Sequence, residues 1–526
     1  MSPCSCLDTS LIGGEKSRVP SVSSDYGKSA VRKSLLHFLF GKALNAVVSV
    51  LTLVALARWL APDAYGVYIA FIALQSTLLA LFSLGIDSTT ERFMPELRTH
   101  HADSELLGFV MASMCARFVS LLILAVVVWS MSSQIVALVG LEAYLDAFKL
   151  WIVVVVLAGM MSFAVVLLEA MLHQRQAQIC MSIYVVSKLI LIGAVYTWWV
   201  LDLDAVVFVE MLATGLAASV GTWTLMRRFP KAGLRRGWRL VVDRRQRMQR
   251  FAFFNYAAQV VFQLFNAEVM KLVVTRLLGV VQSARYGFAH SLADTVQRYL
   301  PAVLLLRLIK PVFISRYTKT GDLAQLNRMA RIILKLNLLV LAPAIALAAV
   351  FGGDLLSVLS KGKYADAHWI FVGVLGLLVL SSHQLVLSIL ASTLERNAMQ
   401  LYAGVASSIG LPCALYLVPT MGALGAVAAS AISGVMYNTF ATVYLRRTGF
   451  DYRPDLRAMA IFVSAGVTMF GISIYAKSVV FGPFSVVVAV VLGGAAYVAI
   501  VRTLGAFSVE ERALLNSILP KQLFIF

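Results

Sequence analysis

The sequence predicts an all-α, polytopic membrane protein of about 14 transmembrane helices. These form two six-helix bundles, related by a parallel internal repeat, plus two C-terminal helices. Three observations predict it. The chain is 60% hydrophobic and only 13% charged, against about 25% charged in a soluble globular domain, and its mean hydropathy is +0.84. Apolar runs of the roughly 20 residues that cross a bilayer recur from residue 35 to residue 502, most with short loops between them. The cations gather in alternate loops.

In chain order, residues 1–34 are polar and rich in Ser and Gly, and are expected to be a disordered cytoplasmic tail. No short apolar region with a small-residue cleavage site is present, so the first span is expected to be an uncleaved anchor. Lys28, Arg32 and Lys33 precede it and hold that end in the cytoplasm. The first bundle, 35–226, contains apolar runs at 35–58, 65–86, 107–130, 149–171, 178–201 and 205–226. The second bundle, 251–445, contains runs at 252–277, 286–309, 331–351, 368–391, 400–418 and 421–445. Residues 446–526 add spans at 457–476 and 480–502 and a cytoplasmic tail.

Between the bundles lies a basic cytoplasmic loop, 227–250. It carries Arg227, Arg228, Lys231, Arg235, Arg236, Arg239, Arg244, Arg245, Arg247 and Arg250 against one acid, Asp243. Lys and Arg resist translocation, so this loop sets the orientation of the spans around it. The other even loops follow: Arg92 and Arg98, Arg175, Arg316 with Lys319 and Arg328, Arg396, and Arg446 through Arg457. Of the odd loops, the third carries Glu142, Asp146 and Lys149, the fifth Asp202 and Asp204, and the eleventh no charge. The alternation predicts both termini in the cytoplasm. The ninth loop, with Lys361 and Lys363, fits least well. The net charge of +19 belongs to these flanks, and nucleic acid is not needed to explain it. Seven tryptophans, Trp59, Trp129, Trp151, Trp198, Trp199, Trp223 and Trp369, fall near span ends, where an apolar ring with a polar N–H is favoured.

One offset recurs. Tyr65-Gly66 matches Tyr286-Gly287, Asn45 matches Asn266, and Arg175 matches Arg396, each 221 residues apart. Six-span halves of even count run in the same direction, which makes the repeat parallel. Gly66 and Gly287 suit a tight turn or a close helix contact.

The segment Ala57-Arg58-Trp59-Leu60-Ala61-Pro62-Asp63-Ala64-Tyr65-Gly66-Val67-Tyr68 resembles the first corner of polysaccharide flippases, with Ala61 where Gly is usual. Gly85-Ile86-Asp87 through Arg92-Phe93-Met94-Pro95-Glu96 is similar to the family's next loop. Thr275-Arg276-Leu277-Leu278-Gly279, Gly362-Lys363-Tyr364-Ala365-Asp366-Ala367 and Gly422-Ala423-Leu424-Gly425-Ala426 resemble later segments. The chain thus resembles the polysaccharide transporter family of the MOP (multidrug/oligosaccharidyl-lipid/polysaccharide) flippase superfamily, over roughly residues 30–450. The resemblance implies a bacterial inner-membrane flippase that moves a polyprenyl-diphosphate-linked oligosaccharide to the periplasmic leaflet. The product would feed lipopolysaccharide O-antigen or exopolysaccharide synthesis, with a polymerase and glycosyltransferases as candidate partners. It implies no covalent chemistry and no cofactor.

Charges inside spans are costly and face a cavity or a partner. Arg117, Lys188 and Arg298 lie near the expected midplane, Arg117 about 15 Å deep at about 1.5 Å per residue. They are candidate ligands for a diphosphate, because guanidinium forks match phosphate oxygens. Lys42, Asn45, Ser49 and Thr52 share one face of span one; Asn255, Gln259, Gln263 and Asn266 share one of span seven; His290, Asp294, Gln297 and Arg298 share one of span eight. Such stripes imply a hydrated cavity or, alternatively, interhelical hydrogen bonding. Lys42, Asn45 and Asn266 complete the candidate substrate-binding set, and His290 and Asp294 are the candidate ion-coupling pair. A cation-coupled multidrug exporter is the alternative function, and its cavity should be acidic rather than cationic. A membrane glycosyltransferase or polymerase is a third reading. Asp202-x-Asp204 resembles a metal-binding pair, but its loop is too short for a sugar domain. The five cysteines show no metal or disulfide spacing.

Overall fold

The computed structural model describes residues 28–100, 103–171, 173–228, 245–263, 266–301, 303, 322–394, 396 and 398–518. Residues 1–27 of the expected tail and 229–244 of the expected basic loop lie outside these; 28–34, expected to be disordered, begin the first helix, 227–228 end the helix before the loop and 245–250 begin the helix after it.

The described elements are all helical. The first bundle holds α1 (Lys28–Trp59), α2 (Pro62–Leu81), the surface helix α3 (Ile86–His100), α4 (Asp103–Ser130), short α5 (Ser132–Val139), α6 (Leu145–Ala170), α7 (Gln174–Trp198) and α8 (Leu203–Arg228). Next come α9 (Arg245–Gln263), α10 (Ala267–Leu278), α11 (Val280–Arg298), α12 (Leu323–Ser360), α13 (His368–Thr393), α14 (Ala398–Ser407), α15 (Gly410–Met421) and α16 (Ala423–Arg447). The C-terminal part is α17 (Leu456–Val479), α18 (Phe484–Val488), α19 (Gly494–Thr503) and α20 (Val509–Ile518); a π-helical turn, Ala489–Gly493, joins α18 to α19.

Among the described residues, 12 helical segments are long and apolar enough to cross a membrane. They coincide with the expected spans except the seventh and eighth. Span seven is broken into α9 and α10, with Asn266 capping α10 by accepting from the Ala267 N–H at 2.6 Å. Span eight is α11, which starts at Val280 rather than 286. The break leaves α10 with 12 residues, too short to cross a membrane, and α9 and α11 carry too many polar residues to pass on hydropathy.

Pro62 starts α2 directly after the N-cap residue Ala61, where its missing N–H costs nothing. The same local design appears at matching places in the two halves. A three-residue 3₁₀ turn (Glu142–Tyr144) leads into the 26-residue α6, and another (Ala365–Ala367) leads into the 26-residue α13. At about 1.5 Å per residue each of these helices exceeds the roughly 30 Å hydrocarbon core.

The halves meet where α2 packs on α11. A Cβ on Gly66 would overlap the carbonyl of Val280, and one on Gly287 would overlap the Ile69 side chain. Each glycine therefore admits the partner helix. Nearby, at the odd-loop end, Tyr65, Phe288 and Tyr364 cluster with ring centroids 5.2–6.4 Å apart. Arg58 donates to the carbonyls of Val358 and Leu359, and Lys363 donates back to those of Arg58 and Leu60 at 2.8 Å each. The end of α12 is thereby bound to the end of α1. At the even-loop end Arg247 of α9 forks onto Glu96 of α3 at 2.8 and 3.3 Å, and Tyr256 donates to the Leu81 carbonyl.

Candidate transport cavity

The polar stripes of spans seven and eight converge. Gln259, Gln263 and Asn266 face His290, Asp294 and Gln297 across a cavity of about 440 Å³. Ser381 and Gln384 of α13, Ser407 of α14, and Ser430, Ser433 and Tyr437 of α16 close the other side. A neighbouring cavity of about 360 Å³ shares Gln297, Ser381, Gln384 and Tyr437 with it and continues toward Ser388 and Gln400 at the even-loop end. Amides and hydroxyls make up about half of the lining, and Val374, Leu377, Leu378 and Leu380 supply an apolar part of the wall. Gln263 is 8% exposed, and its Nε2 has no hydrogen-bond partner among the described residues. A buried unmade bond costs about 1–3 kcal/mol, so this donor is suited to a polar ligand.

The charged groups here are few. His290 Nδ1 lies 3.6 Å from Asp294 Oδ1 one turn on. Glu268 at the mouth of α10 is paired with Lys271 at 2.8 Å. Among the described residues, Arg328 and Arg331 of the even-loop end do not line this space. An apolar cleft of about 350 Å³ lies on the far side of α12 and α13, walled also by Met459, Phe462, Val463, Gly466 and Phe470 of α17. Between cleft and cavities, Asn337 on α12 donates to Ser382 on α13 at 2.9 Å.

Of the sequence-selected residues, the cavity brings together Asn266, His290 and Asp294. Arg298, at the last turn of α11, is exposed beside it. The remaining four sit in the first bundle, apart from the cavity. Arg117 on α4 is 2% exposed; it donates to the Phe82 carbonyl at 3.1 Å and faces Asp87 at 3.7 Å. It holds the turn between α2 and α3, where Ser120 donates to the same carbonyl at 2.7 Å. Burial raises the Asp87 carboxyl above its ordinary range, and the Arg117 charge opposes that.

Lys188 on α7 is buried against Glu210 on α8, donates to the Tyr68 hydroxyl at 2.7 Å, and has the Tyr184 hydroxyl at 3.5 Å. Tyr68 and Tyr184 donate to the two oxygens of Glu210 at 2.7 and 3.0 Å. The group is saturated within the bundle. Asn45 bridges α1 to α7, accepting from Ser182 at 2.7 Å and donating to Gln178 at 3.5 Å. Lys42 is half-buried on α1. Arg117, Lys188 and Arg298 thus do not meet around one cavity.

Sequence reasoning missed Glu210, an acid inside the 205–226 run whose position alone was a signal. It also missed the serines of α13 and α16, which carry no charge to mark them. Asp202 serves as a helix cap: it accepts from the Ala205 N–H at 2.9 Å. Among the described residues no group of three metal-ligating side chains exists.

Residues 31–304 match the model of a family described as polysaccharide biosynthesis protein. Among curated proteins, none matches the chain. Among solved structures, the lipid II flippase MurJ in an inward-closed conformation is similar, with a TM-score of 0.68 at 11% identity, over 91% of this chain and 99% of that one. An inward-facing multidrug resistance MATE family transporter of the MOP superfamily is similar with a TM-score of 0.63 at 11% identity, over 77% and 96%. A Vibrio cholerae MATE transporter follows with 0.54 at 16%, over 81% and 99%. At such identities the likeness is one of fold. With a family model covering over half its length, the chain belongs to the family described as polysaccharide biosynthesis protein.

Proposed function

We propose that this protein is an inner-membrane flippase that carries a polyprenyl-diphosphate-linked oligosaccharide from the cytoplasmic to the periplasmic leaflet by alternating access, for O-antigen or exopolysaccharide synthesis. The observation that carries the reading is the amide- and hydroxyl-lined cavity of about 440 Å³, which extends into a second polar space. Sugars present many hydroxyls and little charge, and such a wall offers both donors and acceptors. The apolar cleft across α12 and α13 is suited to a polyprenyl tail lying beside the cavity. The five ranges 1–34, 35–226, 227–250, 251–445 and 446–526 act as tail, bundle, loop, bundle and appendix. Both termini face the cytoplasm, so a phosphatase fused after Phe526 is inactive and one fused within 202–204 is active. A polymerase and glycosyltransferases work on either side of the step.

The test is translocation of a fluorescent polyprenyl-diphosphate oligosaccharide in proteoliposomes. Wild type moves it, and Gln263→Leu or Gln384→Leu does not. Failure of wild type to move it while it moves a cationic dye would overturn the reading in favour of a multidrug exporter. One observation favours that second reading: the cavity's charged lining residues are the acids Glu268 and Asp294, while Arg117 and Lys188 are held elsewhere.

A further inference from the structure

At the even-loop end, away from the transport cavity, three helices begin around one point. These are α12 at Leu323, α17 at Leu456 and α20 at Val509. Between them is a cavity of about 520 Å³ lined by Arg328, Arg331, Lys335, Arg457, Asp455 and Glu511. Helix starts carry partial positive charge and favour anions.

The acids of this cavity are already engaged. Glu511, 4% exposed, takes Lys335 Nζ on its two oxygens at 2.8 and 3.1 Å. It also accepts from the Ser508 N–H at 2.8 Å, while its own N–H donates to Ser508 Oγ at 3.2 Å. That reciprocal pair starts α20. Asp455 takes Lys335 Nζ at 2.7 Å and accepts from the Ala458 N–H at 3.0 Å.

The arginines are not so engaged. Arg328 meets Glu510 on the open surface. Among the described residues Arg331 makes one hydrogen bond, from its Nε to the Arg453 carbonyl at 2.8 Å, and its charge also acts on Asp455. Arg457 is exposed and forms no hydrogen bond or ion pair with a described residue. Two guanidinium groups therefore border a cavity with donors to spare. The rim is apolar and open: Leu456 is 71% and Val509 79% exposed. A cationic cavity with such a rim is suited to the level where headgroup and hydrocarbon meet.

We propose that this cavity is a second binding site, for a phosphate-bearing anion gripped by Arg331 and Arg457, and that its occupant is the headgroup of an anionic lipid or a soluble phosphate compound. Occupation would tie α12, α17 and α20 together at the end of the helix whose far end binds Arg58. The site is independent of what the transport cavity carries.

The experiment uses the purified full-length chain in non-ionic detergent. Phosphatidylglycerol, phosphatidylcholine of the same acyl chains and inorganic pyrophosphate are the probes, read by native mass spectrometry and by thermal unfolding. Phosphatidylglycerol should bind about tenfold tighter than phosphatidylcholine and raise the unfolding temperature. Arg457→Gln, an exposed position where folding is not at stake, and Arg331→Gln should each weaken it about fivefold or more, as loss of a charge-assisted contact does. Arg453→Gln, which removes an equal charge outside the cavity, should leave it unchanged. Binding of pyrophosphate with the same dependence on Arg331 and Arg457 assigns the site to a soluble phosphate compound; dependence seen with phosphatidylglycerol alone assigns it to a lipid headgroup. Binding that is indifferent to both arginines, or no binding by the wild type, would overturn the proposal.

Discussion

Lys188 on α7 and Glu210 on α8 form an ion pair inside the first bundle, and the hydroxyls of Tyr68 and Tyr184 complete it. Both side chains are under a tenth exposed. Removing one partner strands the other in a medium that cannot solvate it. Lys188→Ala or Glu210→Ala should each cost about 3–5 kcal/mol, while Lys188→Met combined with Glu210→Leu should recover most of that. Unfolding temperatures of the three purified variants check this. Single variants as stable as wild type would mean that water reaches the pair.

Gly66 and Gly287 hold equivalent places in the repeat but face different neighbours. A new Cβ at Gly66 meets backbone, the Val280 carbonyl, which cannot move aside. At Gly287 it meets the Ile69 side chain, which can change rotamer. Overpacking costs about 1–3 kcal/mol. Gly66→Ala should reach the top of that range and Gly287→Ala the bottom, measured by membrane protein level and export together. Equal losses would indicate that Ile69 is as fixed as the backbone.

Arg117 and Gln263 separate folding from transport. Arg117→Ala leaves the Phe82 carbonyl with Ser120 alone and Asp87 without its cation. It should lower the amount of folded protein by a loss of about 1.5–3 kcal/mol. Gln263→Leu fills a cavity wall and should abolish export at normal protein level. Normal folding with lost export for Arg117→Ala would return this arginine to the substrate path.

Acid should loosen the C-terminal helices. Burial pushes the Asp455 carboxyl up, but the bond from Lys335 and the Ala458 N–H outweigh it, so the group titrates below its ordinary 3.8. A lowered value in the folded state means stability that is complete above 3.8 and lost as pH falls through the lower, folded value. Asp455→Asn should remove that acid-limb loss, at the cost of lower stability at neutral pH. Unfolding curves of wild type and variant between neutral and strongly acidic pH measure it; parallel acid limbs would contradict it.

The span pattern was readable because hydropathy is local. Spans seven and eight are the exceptions: Gln259, Gln263, Gln297 and Asp294 line a cavity and dilute the apolar signal, and Asn266 breaks span seven. Those same residues marked the cavity wall, since residues three or four apart share a helix face. The partners of the buried cations were not readable. Tyr68 lies 120 positions from Lys188, and Phe82 lies 35 from Arg117. Midplane depth puts a charge in the membrane but cannot say which neighbour the fold brings to it. The serines of α16 were silent for a related reason, as a neutral small residue looks alike in a cavity and in a helix contact.

Arg58 and the Val358 carbonyl it binds are 300 positions apart. At about 5–20 residues per second of synthesis, roughly 15–60 s separate the appearance of the two. For all that interval the first bundle sits in the membrane without the partner that seals its end. It must hold together on bonds made within itself, such as those from Lys188 to Glu210 and from Asn45 to Ser182. A substitution that weakens those bonds therefore acts on the half-made chain, before any transport cavity exists, and exposes it to the cell's membrane proteases.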